Sequence, residues 1–255
     1  MLRYEASGPR AVLTIDDPER RNPISNDVMR ALLDGVRRAE ADPVVRVVVL
    51  TGAGDRAFSA GGDLSGGFVD DPLATHGERE ALADLFRSMQ RCPKPIIARV
   101  NGHALAGGFG LAAACDIVVA VEHATFGTPE IAVGLWPMMI TAVLQRLAPE
   151  RAILDLMLTG RRIEAAEAMR LGVVSRVVPA DRLDIVVDEI VDDVVAKSPS
   201  VLALGKTAFY AVRDLPLDAA LDHLHIGLTA VALCDDAREG MAAFLEKRSP
   251  TWSGR

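Results

Sequence analysis

The stretch Ala98-Arg99-Val100-Asn101-Gly102-His103-Ala104-Leu105-Ala106-Gly107-Gly108-Phe109-Gly110-Leu111-Ala112-Ala113-Ala114-Cys115-Asp116 decides how this chain is read. It opens as the end of an apolar strand, Ile96 to Val100, turns at Asn101-Gly102, and becomes small and apolar up to Ala114, as a buried helix does. A glycine pair at the mouth of a helix leaves backbone N–H groups bare, and that geometry holds a negative oxygen. No side chain in the stretch does chemistry, so reacting groups must come from elsewhere.

The flanks read as α/β. Ala11 to Asp16 alternates as a strand does. Asn26 is read as the N-cap of a helix running to about Ala41, with Val28, Leu32, Leu33 and Val36 on one face. Val44 to Thr51 is nearly all apolar and β-branched, as suits a strand covered on both faces. A glycine-rich loop, Gly52 to Gly67, follows it, and ligands of α/β folds gather at such strand ends. Glu78 to Arg91 reads as an amphipathic helix, Ile117 to Val121 as another buried strand and Met138 to Leu147 as an apolar helix. From Glu150 helices dominate, near 150–158, 164–171, 181–197, 199–213, 216–233 and 235–247, with one short strand over Val173 to Val178. The expected organisation is an α/β core over 1–195 and a C-terminal helical region over 196–255.

Composition narrows the function classes. The chain has 255 residues, half of them hydrophobic, enough for one core. Its formal charge of -7 is interspersed and forms no basic stripe, which argues against nucleic acid as a partner. Three widely spaced cysteines, Cys92, Cys115 and Cys234, without a C-x-x-C, fit free thiols and a cytoplasmic protein. No uncharged run approaches the ~20 residues of a membrane span. His223 and His225 sit two apart on a helix and face different ways, so no metal site is expected there.

Three motifs carry chemistry on paper. Gly108 to Ala113 matches G-x-G-x-x-A with the acid Glu130 about twenty residues on, a dinucleotide fingerprint. Asn101 to Gly107 intervene between strand and first glycine, however, which spoils its geometry. The pairs Gly61-Gly62 and Gly107-Gly108 each follow an apolar strand and could aim two N–H groups at one carbonyl oxygen; they could equally be turns. Glu130, between Pro129 and an apolar run, reads as a general acid or base with a raised pKa, or as a helix-start acid.

The run N-G-H-A-L-A-G-G-F-G-L-A-A-A-C-D, preceded by F-S-A-G-G-D-L, followed by F-G-T-P-E-I-A-V-G-L-W-P and closed by E-G-M-A-A-F-L-E-K-R, resembles the crotonase family, also called the enoyl-CoA hydratase/isomerase family. The likeness covers essentially the whole chain. It implies a crotonase-like spiral of ββα units with two roughly perpendicular sheets, a helical trimerisation region, and a homotrimer or homohexamer. The implied substrate is an acyl-CoA thioester, so coenzyme A belongs to the substrate and no separate cofactor is implied. Gly62 and Gly107 match the family's oxyanion-hole positions and Glu130 its acid/base. Arg56 and Ala60 match the adenine-contacting loop, and Lys247 a lysine that reaches a neighbouring subunit's CoA phosphate. Arg20 and Arg21 are further phosphate contacts or a solvated pair. Trp136 and His103 are read at the acyl pocket, His103 with a packing or hydrogen-bonding role.

One departure bears on the reaction. Hydratases of the family use two glutamates, and where the first should stand this chain has Gly110. A lone Glu130 resembles the one-glutamate isomerases, which move a double bond from C3 to C2. The reading is therefore isomerisation of a 3-enoyl-CoA, with hydration of a 2-enoyl-CoA and a catalytically weak acyl-CoA-binding protein as alternatives. Asp63 and Asp116 are read as structural, and Asp70 and Asp71 as solvated.

Overall fold

The computed structural model describes residues 1–63 and 76–255; Asp70, Asp71 and the end of the Gly52–Gly67 loop lie outside the described residues. In chain order the first half holds β1 (Leu2–Ser7), β2 (Arg10–Ile15), β3 (Pro23–Ile24), α1 (Asn26–Ala41), β4 (Val47–Gly52), β5 (Ala57–Ser59), β6 (Gly61–Gly62), α2 (His76–Arg91), β7 (Ile96–Val100), β8 (His103–Leu105) and α3 (Gly107–Ala113). The second half holds β9 (Ile117–Val121), β10 (Thr125–Gly127), α4 (Met138–Leu144), α5 (Glu150–Thr159), β11 (Arg162–Glu164), α6 (Ala165–Arg170), β12 (Arg176–Val178), α7 (Leu183–Val195), α8 (Pro199–Ala211), α9 (Leu217–Leu233) and α10 (Asp235–Glu246).

Six strands form one sheet in the order β1-β2-β4-β7-β9-β12, parallel except for the β1–β2 hairpin. Strands β4 and β7 lie inside it, and all six residues of β4 are buried, as its unbroken Val-Val-Val-Leu run requires. A second sheet runs β11-β10-β8-β5, its inner pairs parallel, and β3 pairs with β6 as a two-residue ribbon. The buried core extends from Ala11 to Val191 and joins both sheets to α1, α2, α3 and α7.

Several boundaries differ from the sequence reading. Ser25, not Asn26, caps α1: its side chain accepts the Val28 N–H. His103 stands in a strand rather than a turn. Val173 and Val174 are buried, but only Arg176–Val178 pairs with β9. The edge strand β1 is half exposed and mixes Arg3 and Glu5 with Leu2 and Tyr4, so its alternation does not stand out.

The C-terminal helices are held by polar anchors. Lys206 of α8 pairs with Asp116 at 2.6 Å and donates to the Lys94 carbonyl, while the Tyr210 hydroxyl donates to the other Asp116 oxygen at 2.8 Å. Asp116 also accepts the Ile96 N–H, tying α8 to the end of α3 and the start of β7. Farther on, Asp236 is buried and accepts from Ser198, Ser200, Ser253 and the Gly254 N–H; these contacts hold its carboxyl down at about 2 against the opposing effect of burial. Helices α8 and α9 bury no residue completely, and α9 and α10 meet at a 70° bend. Among the described residues no single helix is long and apolar enough to cross a membrane.

Removing one partner of a mostly buried ion pair strands the other's charge, at a cost of about 3–5 kcal/mol. Lys206→Met should therefore lower the unfolding free energy by about that much in urea titration. A loss under about 1 kcal/mol would mean that Asp116 does not depend on Lys206.

Candidate active site

Three strands of the second sheet run parallel and end at the same side: β5 pairs with β8, and β8 with β10, with Leu105 opposite Gly127. Just past those ends come Gly62, Gly107 and Glu130, so the topology delivers all three to one edge of the fold. The Ala106 N–H donates to the Gly127 carbonyl at 2.9 Å and ties two of these exits together.

The two glycine loops touch. A Cβ on Gly61 would stand 2.5 Å from the Ala106 Cβ, and one on Gly107 would stand 3.9 Å from the Gly62 nitrogen. Gly108 has no room at all: a Cβ there would lie 2.6 Å from the Ser59 carbonyl oxygen. Ser59 is fully buried, and its hydroxyl accepts the Gly61 N–H at 3.1 Å. Ala106, the residue before α3, has φ 50 and ψ -128, a conformation that costs a residue with a Cβ about 1–3 kcal/mol. Having no side-chain oxygen, Ala106 also makes no cap, so it leaves first-turn N–H groups of α3 unclaimed by a cap side chain. With only seven residues, α3 contributes individual N–H donors here rather than a sizeable macrodipole.

Glu130 sits in the 3₁₀ turn Pro129–Val133, fixed by Leu135 N–H to Glu130 carbonyl (3.0 Å) and by left-handed Gly134. Its Oε2 is buried and has no hydrogen-bond partner among the described residues; the same holds for the Thr128 hydroxyl. Burial raises the Glu130 carboxyl above its ordinary range, opposed by a hydrogen bond from its own backbone. A carboxyl that is half-buried, with one oxygen unpaired among the described residues, and hard to ionise is suited to accept and return a proton.

Gly110 lies one turn along α3 from Gly107, on the same face. A Cβ there would sit 2.1 Å from Ile140 Cγ2 and 3.2 Å from Phe86 Cζ. The place of a second carboxylate is thus occupied by hydrocarbon, and glycine is what lets α4 pack so closely.

Arg56 and Ala60 flank β5; Arg56 is exposed, with its carbonyl accepting the His103 N–H, and Ala60 N–H donates to Arg21. His103 Nδ1 lies 2.8 Å from the Thr125 hydroxyl, a β8–β10 link, and burial together with Arg162, Arg21, His123 and Arg56 holds its pKa below the usual histidine range. Trp136 is half-buried against the core. Asp63 is held by the half-exposed Arg20 at 2.8 Å. Lys247 stands apart as the exposed left-handed cap of α10. Sequence reasoning missed Ala106, whose strain leaves no composition signal, and Asn22 and Asn101. The amides of these two buried asparagines hold the carbonyls of Gly52, Ala53, Gly54 and Ala57.

Comparison with known proteins agrees with this geometry. The family model described as enoyl-CoA hydratase/isomerase matches residues 6–255. A Thermus thermophilus protein named "Putative enoyl-CoA hydratase" is 39% identical, covering 98% of this chain and 99% of its own length. The carnitinyl-CoA dehydratase of Salmonella typhi is 34% identical over 100% of this chain and 98% of its own. The crystal structure of an enoyl-CoA hydratase from Mycobacterium smegmatis superposes with a TM-score of 0.95 at 32% identity, covering 98% of both chains.

The strain at Ala106 yields a prediction. Ala106→Gly should relieve a conformation costing about 1–3 kcal/mol, against an unfolded-state penalty of about 0.4–1 kcal/mol. A raised melting temperature is expected, and a clear fall would show that Ala106 is not strained.

Proposed function

The chain belongs to the enoyl-CoA hydratase/isomerase family, and from that premise we propose that it adds water to, or removes it from, an acyl-CoA thioester with Glu130 as its one acid/base. The observation that carries this is the buried Glu130 oxygen, without a partner among the described residues, beside two glycine loops whose backbones meet at Gly62 and Gly107. The names of the relatives, hydratase and dehydratase, support water chemistry over the isomerisation that Gly110 suggests from sequence alone.

One carboxylate is sufficient for both halves. Water adds at C3 of the 2-enoyl thioester while Glu130 takes its proton. The electron pair moves onto the thioester oxygen, where the Gly62 and Gly107 N–H groups hold the enolate. The same Glu130 proton then passes to C2, which completes addition on one face; the reverse sequence expels water. Isomerisation remains the second reading, favoured by the filled space over Gly110: Glu130 would take a proton from C2 of a 3-enoyl thioester and deliver it to C4. Arg56, Ala60 and Lys247 belong to this proposal as CoA contacts, and a homotrimer or homohexamer would cover the exposed Leu217, Leu221, Leu228, Met241 and Phe244 of α9 and α10.

Purified protein assayed with a 2-enoyl-CoA and a 3-enoyl-CoA separates the readings: rapid water uptake supports the first, double-bond transfer alone the second, and tight binding without turnover of either would leave an acyl-CoA-binding protein. Glu130→Gln should lower turnover by about 10²–10⁴. In the wild type, kcat/KM should climb with pH through a pKa above the ordinary glutamate range. The linkage has a definite sign. A carboxyl whose folded pKa is raised stabilises the fold below its unfolded pKa and loses that contribution as pH rises through the folded pKa. Glu130→Gln should therefore unfold at a higher temperature than wild type at neutral pH, and the gap should close at acid pH.

Gly107→Ala tests the donors. The added methyl meets nothing closer than 3.8 Å within the protein, so the variant should fold normally. It would project toward the Gly62 nitrogen and lower turnover by about 10²–10³; wild-type turnover would remove Gly107 from the oxyanion hole.

A further inference from the structure

We propose that Ile140 and Phe86 form a partition that ends the acyl side of the site at Gly110 and confines the enzyme to short-chain acyl thioesters. The inference rests on the acyl-CoA reading above and adds to it the class of acyl group.

Three positions about one turn apart along α3 carry the case. At the first, Gly107 faces the Gly62 nitrogen. At the second, Gly110 lies against Ile140, with Cγ2 at 2.1 Å and Cβ at 2.7 Å from the position a Cβ would take, and against the tip of Phe86 at 3.2 Å. At the third, Ala113 and Ala114 wall a cavity of about 600 Å³, which Phe86 lines from the near side and Val143, Leu147 and Phe209 complete. The cavity is apolar at Phe86, Val143 and Leu147 and polar at Arg87, Gln90 and the paired Arg146 and Asp214.

Gly110 is therefore not simply a missing side chain. It lets Ile140, itself 3% exposed, seat on the helix backbone. One turn of helix is about 5 Å, roughly the reach of a four- or five-carbon acyl group from an oxygen held at Gly107. A longer tail would have to pass Ile140 and Phe86 to reach the space behind them. Part of that space is walled by hydrocarbon, from Phe86, Val143 and Leu147, and the partition stands in front of it.

Saturated acyl-CoAs test this without chemistry, since they bind and cannot react. Calorimetric titration of the full-length wild type with butanoyl-CoA and octanoyl-CoA should show octanoyl-CoA bound no more tightly than butanoyl-CoA. Ile140→Ala should reverse the order, with octanoyl-CoA gaining about fourfold for each methylene admitted and butanoyl-CoA unchanged within about threefold. Phe86→Ala should shift the order in the same direction and serves where Ile140→Ala does not fold. Adding Ala142→Phe, an exposed position on the cavity wall, to the opened variant should cancel the gain. A wild type that already prefers octanoyl-CoA, or opened variants with an unchanged order, would overturn the partition while leaving the acyl-CoA reading intact. Failure of the wild type to bind butanoyl-CoA would overturn both.

Discussion

The crossing of Gly108 over Ser59 is the contact on which the site depends. With no Cβ on Gly108, the first turn of α3 settles directly on the end of β5, where even a methyl would lie 2.6 Å from a carbonyl oxygen. Ser59 reinforces the crossing by taking the Gly61 N–H, so the loop that presents Gly62 and the helix that presents Gly107 are fixed by the same side chain. The strained backbone of Ala106 belongs to this arrangement. It redirects the chain abruptly from β8 into α3, and the close packing on either side holds it in a conformation that an isolated alanine avoids.

A rim this irregular needs its backbone polar groups satisfied without regular pairing, and two buried asparagines do that. Asn22 and Asn101 donate to four carbonyls of the 52–57 segment, which keeps the entrance to β5 ordered although little of it is in a sheet. The groups left over are informative. Thr128 and Glu130, two residues apart, each keep a buried oxygen without a partner among the described residues, as Tyr4 and Asn101 also do, whereas the buried Asp236 is paired many times over. Such a group costs stability wherever it occurs. Two such groups next to the meeting of the glycine loops fit the edge proposed for the chemistry better than the well-satisfied Asp116 or Asp236 does.

The parts legible in the sequence are those governed by local pattern. Strands β4, β7 and β9 show themselves as largely apolar runs rich in Val and Ile because burial on both faces favours it, and α1 and α2 show a 3.6-residue stripe. The glycine pairs and Glu130 are visible for the same reason, since few residue types tolerate such loops. Short strands β5, β6 and β10 were not legible, because two or three residues carry no period and their pairing is set by distant partners. Nor was the role of Asn22, whose value lies in reaching carbonyls about thirty residues away. Gly110 was legible as an absence only. That Ile140 occupies the space, thirty residues on and in another helix, is a fact of packing that no local pattern encodes.

Replacing a carboxylate by hydrocarbon changes the electrostatics as well as the shape. Two acids facing one water repel each other, so the proton affinity of each depends on the charge of the other. In this site the rise in the Glu130 pKa comes from burial, and among the described residues no second carboxylate contributes to it. Its proton affinity is then set by the depth of the pocket, and it should strengthen when a bound thioester excludes more water. A lone carboxylate also serves only one face of the substrate, so whatever proton it takes it must return to that same face. The aliphatic wall at Ile140 supports this restriction, because no water held there by a polar group could attack from another direction. On the proposed reading, steric closure at Gly110 and single-carboxylate chemistry at Glu130 are two consequences of one packing arrangement along α3.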